Sequence, residues 1–257
     1  MTEIVSQTIP NVATQNVVSF NKTAFDDLIY QKGYDVTTER AIPCPCKSEQ
    51  GENLSTCRNC LGTGWVFIDK KTTKLVLQSI NVDTKFKSWS EERAGTVSIS
   101  ARDIDQFSFM DRITVTNSIS IIGQILHPKI VSINGSDVLF ARTIYDINSI
   151  LYLYQFSASD EPLTLITDKY ALYGNSLNSL SFDIPTFGDI DNLTFSILYK
   201  HPIQFHVVDL LHEIRRSQVF DGGMFSEVAL PVQAIARRAH YVLDKDDLTG
   251  TLLINNA

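Results

Sequence analysis

Four side chains in this sequence have the type and spacing for metal chemistry: Cys44, Cys46, Cys57 and Cys60. They are all the cysteines of a 257-residue chain, and they lie within one stretch, Pro43 to Trp65. The second pair, Cys57-Arg58-Asn59-Cys60, has the two-residue gap that lets both thiolates curl round one ion with backbone amides turned toward the sulfurs. Gly62 and Gly64 follow at once and supply the backbone angles a tight knuckle needs. Four thiolates suit one tetrahedral Zn²⁺ and close its shell, leaving no position open for a substrate. The expectation is one structural zinc per chain.

Three other readings compete. The first pair, Cys44-Pro45-Cys46, is tighter than the common gap and stiffened by its proline. Two disulfides would belong to an oxidising compartment. A redox Cys-x-x-Cys sits at a helix start after a strand, whereas this pair runs into Gly62-Thr63-Gly64 and an apolar strand. Plain reduced cysteines are the third. Met1-Thr2-Glu3-Ile4 has no basic region before an apolar one, and no run nears the roughly 18 apolar residues of a membrane span. The chain is therefore expected to fold in a reducing cytoplasm, where thiolates stay free for zinc, with no membrane partner.

Catalysis would need a constellation, and none assembles. There is no Gly-x-x-x-x-Gly-Lys loop, no His-Glu-x-x-His and no Gly-x-Ser-x-Gly elbow. The chain is expected not to be an enzyme. His201, His206, His212 and His240 gather toward the C-terminus at spacings that fit no ligand pattern, and strand or interface positions are expected for His206 and His212. His127 precedes Pro128 and reads as exposed in a turn. Asp103 with Asp105, the group Asp244, Asp246 and Asp247, and the stretch 183–191 read as solvated loops rather than acid–base pairs. A net charge of −7 argues against broad gripping of nucleic acid. The arginine doublets, Arg215-Arg216 and Arg237-Arg238, therefore fit salt bridges to neighbouring subunits better than phosphate contacts.

The elements that must position the cysteines are mostly strands. Asn21 or Thr23 can cap a short helix with Asp26 in its first turn and Phe25, Leu28 and Ile29 on one face, closed by Gly33. Trp65–Ile68 and Leu75–Leu77 read as two strands joined by a polar turn, Asp69–Thr73. Thr96–Ser100 and Ile113–Thr116 alternate strictly, and Asn134-Gly135 between apolar runs is the strongest hairpin signal. Further strands fall within Tyr145–Phe156, Leu163–Tyr173, Ser179–Ile184 and Leu193–Tyr199, and Ile203–Asp209 follows His201-Pro202. The fold class is mainly β, a β-barrel or sandwich, with a short N-terminal helix and a small four-cysteine zinc knuckle. The division expected is an arm over 1–20, a helix and knuckle over 21–66, a β-rich body over 67–243 with 140–198 as an insertion subdomain, and a tail over 244–257.

Three segments together carry a resemblance. Cys44-Pro45-Cys46 with Cys57-Arg58-Asn59-Cys60-Leu61-Gly62-Thr63-Gly64-Trp65 resembles a cysteine knuckle of tailed-bacteriophage neck proteins. Gly95–Ile99 with Asp111-Arg112-Ile113-Thr114-Val115 resembles their β-barrel core. Tyr199–Pro202, His212–Arg215, Leu230–Gln233 and Ala236–Arg238 resemble a sheet segment of the same head–tail connector ring proteins, including those of crAss-like phages. The resemblance implies a virion structural protein, localised to the neck and assembled in the host cytoplasm. It implies a homo-oligomeric ring, often of twelve copies, between portal and tail proteins, through which DNA passes without specific binding. The alternative is a zinc-knuckle binding adaptor, chaperone-like or nucleic-acid-binding. For that, Cys57-x-x-Cys60-x-Gly62-x-Gly64 resembles the repeat in the zinc domain of J-domain co-chaperones, although those domains carry several repeats and this chain has one.

Overall fold

The computed structural model describes residues 21–46, 57, 59–60, 63–79, 95–133, 136–156, 164–167, 170–172, 178–182, 193–211, 216–221 and 224–243. In chain order they form α1 (Lys22–Lys32), β1 (Tyr34–Pro43), β2 (Trp65–Ser79), β3 (Thr96–Ala101), β4 (Arg112–Leu126), β5 (Lys129–Ile133), β6 (Ser136–Arg142) and β7 (Ser149–Phe156). There follow β8 (Thr164–Leu165), β9 (Tyr170–Leu172), β10 (Ser179–Phe182), β11 (Thr194–Asp209), β12 (Arg216–Asp221), β13 (Met224–Ala229), β14 (Val232–Arg238) and α2 (Ala239–Val242). The expected arm, tail and loop 183–191 lie outside the described residues, as do His212 and Asp244, Asp246 and Asp247.

Strands β14, β3, β2, β1, β4 and β11 are successive neighbours, and β11 pairs back onto β14. All these pairings are antiparallel, so six strands close into a barrel with no edge left along its wall. Alternation sends one side chain in two to the interior, which Val36, Leu75, Ile99, Ile113, Val115, Phe205, Val207 and Ala234 fill. Strands β4 and β11 outrun this barrel. Their register continues from Arg112↔His206 to Leu126↔Phe195, and beyond the barrel β11 takes β7 as its second neighbour. That extension packs on the sheet β5-β6-β10-β9 around a second core that includes Leu139, Leu153, Leu180, Ile197 and Tyr199. Phe182 and Phe195 stack there at 4.5 Å. The mainly β expectation holds, and barrel and sandwich are both present, joined through two continuous strands.

Local readings fare unevenly. Asn21 does cap α1, its side chain accepting from the Ala24 amide at 3.1 Å, and Gly33 follows the helix. Ile29 is buried but Leu28 is half exposed, and no acidic residue lies in the first turn, so Asp26 sits beyond it. The polar stretch Asp69–Thr73 is not a turn. It lies inside one 15-residue strand, β2, on a ribbon with β1 that is solvated over residues 68–72 and so needs no apolar alternation there. Nor does Pro202 end a strand: β11 runs through it for 16 residues. Its missing N–H is tolerated because the β4 register jumps from Ile119 to Val115 just there, and its other neighbours, β7 and β14, stop short of it.

Candidate metal centre

The ribbon β1–β2 carries the knuckle at its tip. Pro43 pairs with Trp65, and the Cys44 amide donates to Gly64 O at 2.8 Å, so the last rung of the ladder sets where the first cysteine points. Gly64 has φ 75, the left-handed region that favours glycine, and turns the chain back into β2. Thr63 fastens the other side. Its amide and hydroxyl both donate to Cys60 O, at 3.1 and 2.6 Å. Gly62 lies outside the described residues.

All four sequence-predicted ligands come together. The Sγ atoms of Cys44, Cys46, Cys57 and Cys60 lie within 4.8 Å of one another, and this is the one group of potential ligands so placed among the described residues. Cys44 and Cys57 approach to 3.6 Å and Cys46 and Cys60 to 3.1 Å, each contact crossing between the two pairs. None of the four forms a disulfide. A disulfide needs about 2.05 Å, which these separations exceed by more than 1 Å. A tetrahedron of sulfurs about 2.3 Å from a central ion has edges of about 3.8 Å, the scale found here. The cluster can therefore hold a metal ion. Cys44 and Cys60 are buried, and Cys46 and Cys57 are half-buried at the rim. The Cys60 amide, donating to the Cys57 sulfur, pulls that thiol down to about 6, helped by the Asn59 amide, so a thiolate ligand is available near neutral pH. Burial acts the other way on Cys46, whose thiol is pushed up.

The knuckle's base is clamped to the barrel. Asp111 is buried and accepts from Arg40 Nη1 at 2.7 Å, from the Ala41 amide at 2.9 Å and from the Ser108 amide at 2.8 Å. Arg112 pairs with Glu39 at 2.7 Å and lies 4.2 Å from the Phe67 ring centroid. Trp65 meets Phe109 edge-on at 5.9 Å. Sequence reasoning reached Asp111 and Arg112 only through a resemblance. No local signal marks them as the clamp, because their partners on the ribbon, Glu39, Arg40 and Ala41, lie some seventy residues away.

His206 lies on a strand, β11, as expected, and so does His201, whereas His240 lies in α2. His206 is fully buried beneath Phe67, its Nδ1 3.2 Å from Met110 O and its Nε2 without a hydrogen-bond partner among the described residues. His201 stacks on Tyr145 at 4.0 Å, and the Tyr145 hydroxyl lies 2.6 Å from His240 Nδ1. His127 is exposed, as read. Asp103 and Asp105 are not free loop carboxylates but hold Lys22 and Arg102. Arg237 lies over Tyr241 and Arg238 donates to Ser120 Oγ, so this doublet is engaged within the chain.

Burial holds the His206 imidazole down to about 4. Between its ordinary value near 6.5 and about 4, the unfolded chain takes up a proton that the folded chain refuses, so stability falls as pH drops through that window. The full loss is about 3 kcal/mol. Urea midpoints at pH 7 and pH 4.5 should converge in His206→Gln relative to the parent. An unchanged pH dependence in the variant would remove His206 as the cause.

No protein-family model matches the chain, and no curated protein does. What the cluster is for rests on its geometry.

Proposed function

We propose that the chain is a virion structural protein of a tailed-phage neck, forming a ring between portal and tail that continues the DNA channel. In this reading Cys44, Cys46, Cys57 and Cys60 hold one Zn²⁺ per chain as a staple. A segment too short and polar to fold by burial gains its order from metal binding instead. The ion leaves no ligand position for chemistry, so function lies at the surface that the knuckle stiffens.

The observation that supports this reading is how the cysteine ribbon is fixed to the barrel. The cysteine ribbon, the Asp111-Arg112 corner and the β11 strand at His206 pack on one another through Arg40, Glu39 and Phe67. A rigid projection fixed to a closed barrel suits docking between stacked rings. An acidic chain, at −7, also suits a channel through which DNA slides without being held. No helix among the described residues is long and apolar enough to cross a membrane.

Native mass spectrometry of the purified chain, and electron microscopy of particles containing it, test the proposal. Rings, twelve-membered in the reading favoured here, that bind portal or tail proteins are the expected result. A chain that stays monomeric and never associates with either would sink it, and salt-sensitive nucleic-acid binding would favour the adaptor reading.

A further inference from the structure

We infer that the outer face of β4 beyond the barrel is a docking site for the N-terminal segment, residues 4–20, of a second copy of this chain. The inference rests on the ring reading and names one contact by which copies would hold each other. Along β4 the exposed row is Ile119, Ile121, Gly123 and Ile125, with the isoleucines 56%, 54% and 61% exposed. Among the described residues no strand pairs with this part of β4 on the side away from β11, since β1 reaches only Val115. Among the described residues no backbone group pairs with the donors and acceptors on that side, an edge that an added strand can fill.

Edge strands are normally protected by charge. Here there is none from Ile113 to Pro128, a gap of 16 residues in a chain where one residue in five is charged. One uncharged stretch is longer: residues 4–21, 18 residues, directly before α1. In a chain of net charge −7, copies repel except where charge is missing, and these two stretches are where it is missing most.

Gly123 adds a second, independent sign. It carries no left-handed φ, and a Cβ built on it would meet only Leu198 Cδ1 at 3.8 Å and Ile197 O at 3.9 Å. Nothing among the described residues demands a glycine there. Glycine inside a strand commonly marks the close approach of another backbone.

Size decides between a body and a segment as occupant. The three isoleucines with neighbouring Tyr152 expose roughly 400 Å² of apolar surface, about half of what one partner contributes to a standard interface between folded bodies. A single extended segment is the better fit. Seventeen residues reach about 55 Å at about 3.3 Å each, and the row from Ile119 to Ile125 spans about 20 Å.

The test uses the full chain and measures self-association by analytical ultracentrifugation. Ile121→Lys and deletion of residues 1–20 should each weaken association at least about tenfold, and together no more than either alone. Ile104→Lys, an equally exposed apolar site elsewhere, should change nothing. Circular dichroism and metal content should match the parent in every variant. A photoreactive group at position 121 should cross-link to residues 4–20 of a mass-labelled second copy. Cross-links confined to one chain, or association unmoved by both changes, would overturn the inference. If rings still form in Ile121→Lys with parental affinity, the docking site falls and the ring reading stands. A parent chain that never self-associates removes both.

Discussion

Serine at position 57 is expected to strip the chain of bound metal while the barrel stays folded. The parent, purified reduced, should carry about one zinc per chain, the complement of four thiolates. Cys57→Ser should carry well below half of that by elemental analysis. Cys57 is the thiol whose ionised form is favoured by the Cys60 and Asn59 amides, so in the zinc reading its loss removes both a ligand and the anchor of the second pair. Structural zinc contributes about 10–16 kcal/mol to folding in isolated zinc-finger peptides. In the proposed zinc site that energy would order only the tip. The barrel core contains no residue between Cys44 and Gly64, and its six strands close without the knuckle. Proteolysis should accordingly cut the variant between Ile42 and Trp65, with the Trp65 near-ultraviolet signal reduced and the far-ultraviolet β signal kept. Unchanged metal content in the variant, or none in fresh reduced parent, would remove the zinc assignment. Global unfolding would show that the ribbon supports the barrel more than its separate core implies.

Much of this site was legible because its information is local. Spacing alone selects Cys44, Cys46, Cys57 and Cys60, and Gly64 takes the φ that a knuckle exit demands. Strands with one buried face, such as β3, announce themselves by alternation. The misreadings arise where a strand lacks that asymmetry. β2 looked broken at Asp69–Thr73 because a ribbon that has left the barrel has water on both faces. β4 beyond Thr116 was missed because its isoleucines point outward while its inward positions include Ser120 and Gln124, an inversion of the usual pattern. Barrel closure could not be read at all. It depends on Phe205–Asp209 finding Ile235–Arg238, a pairing that only tertiary packing selects. The burial of His206 is of the same kind: by strand parity it faces outward, and only the returning ribbon with Phe67 covers it.

Removing the negative charge of Asp111 should cost more stability than removing the arginine paired with it. Asp111 is 2% exposed, and its two oxygens accept from two backbone amides, Ala41 and Ser108, besides Arg40. Its own backbone is equally committed, with Val207 donating to Asp111 O at 3.0 Å beside a Met110 amide that donates back to Val207 O at 2.7 Å. Met110 holds φ 67, an angle costly for a side-chain-bearing residue, and the carboxylate is what fixes the turn around it. In Asp111→Asn the new amide group must face one of these donors, leaving a buried N–H opposed by another N–H. The expected loss is about 2–4 kcal/mol, or about 6–12 °C in Tm for a chain of this size. Arg40 is 37% exposed, so screening limits what its charge contributes. Arg40→Ala should cost at most about 1 kcal/mol. Chemical denaturation of both variants with metal bound checks the order. Equal losses would mean that the ion pair, rather than the amide bonds, holds the ribbon to the barrel. The expected order makes Asp111 the residue that aims the knuckle, since the Ala41 amide it holds lies three residues before the first ligand.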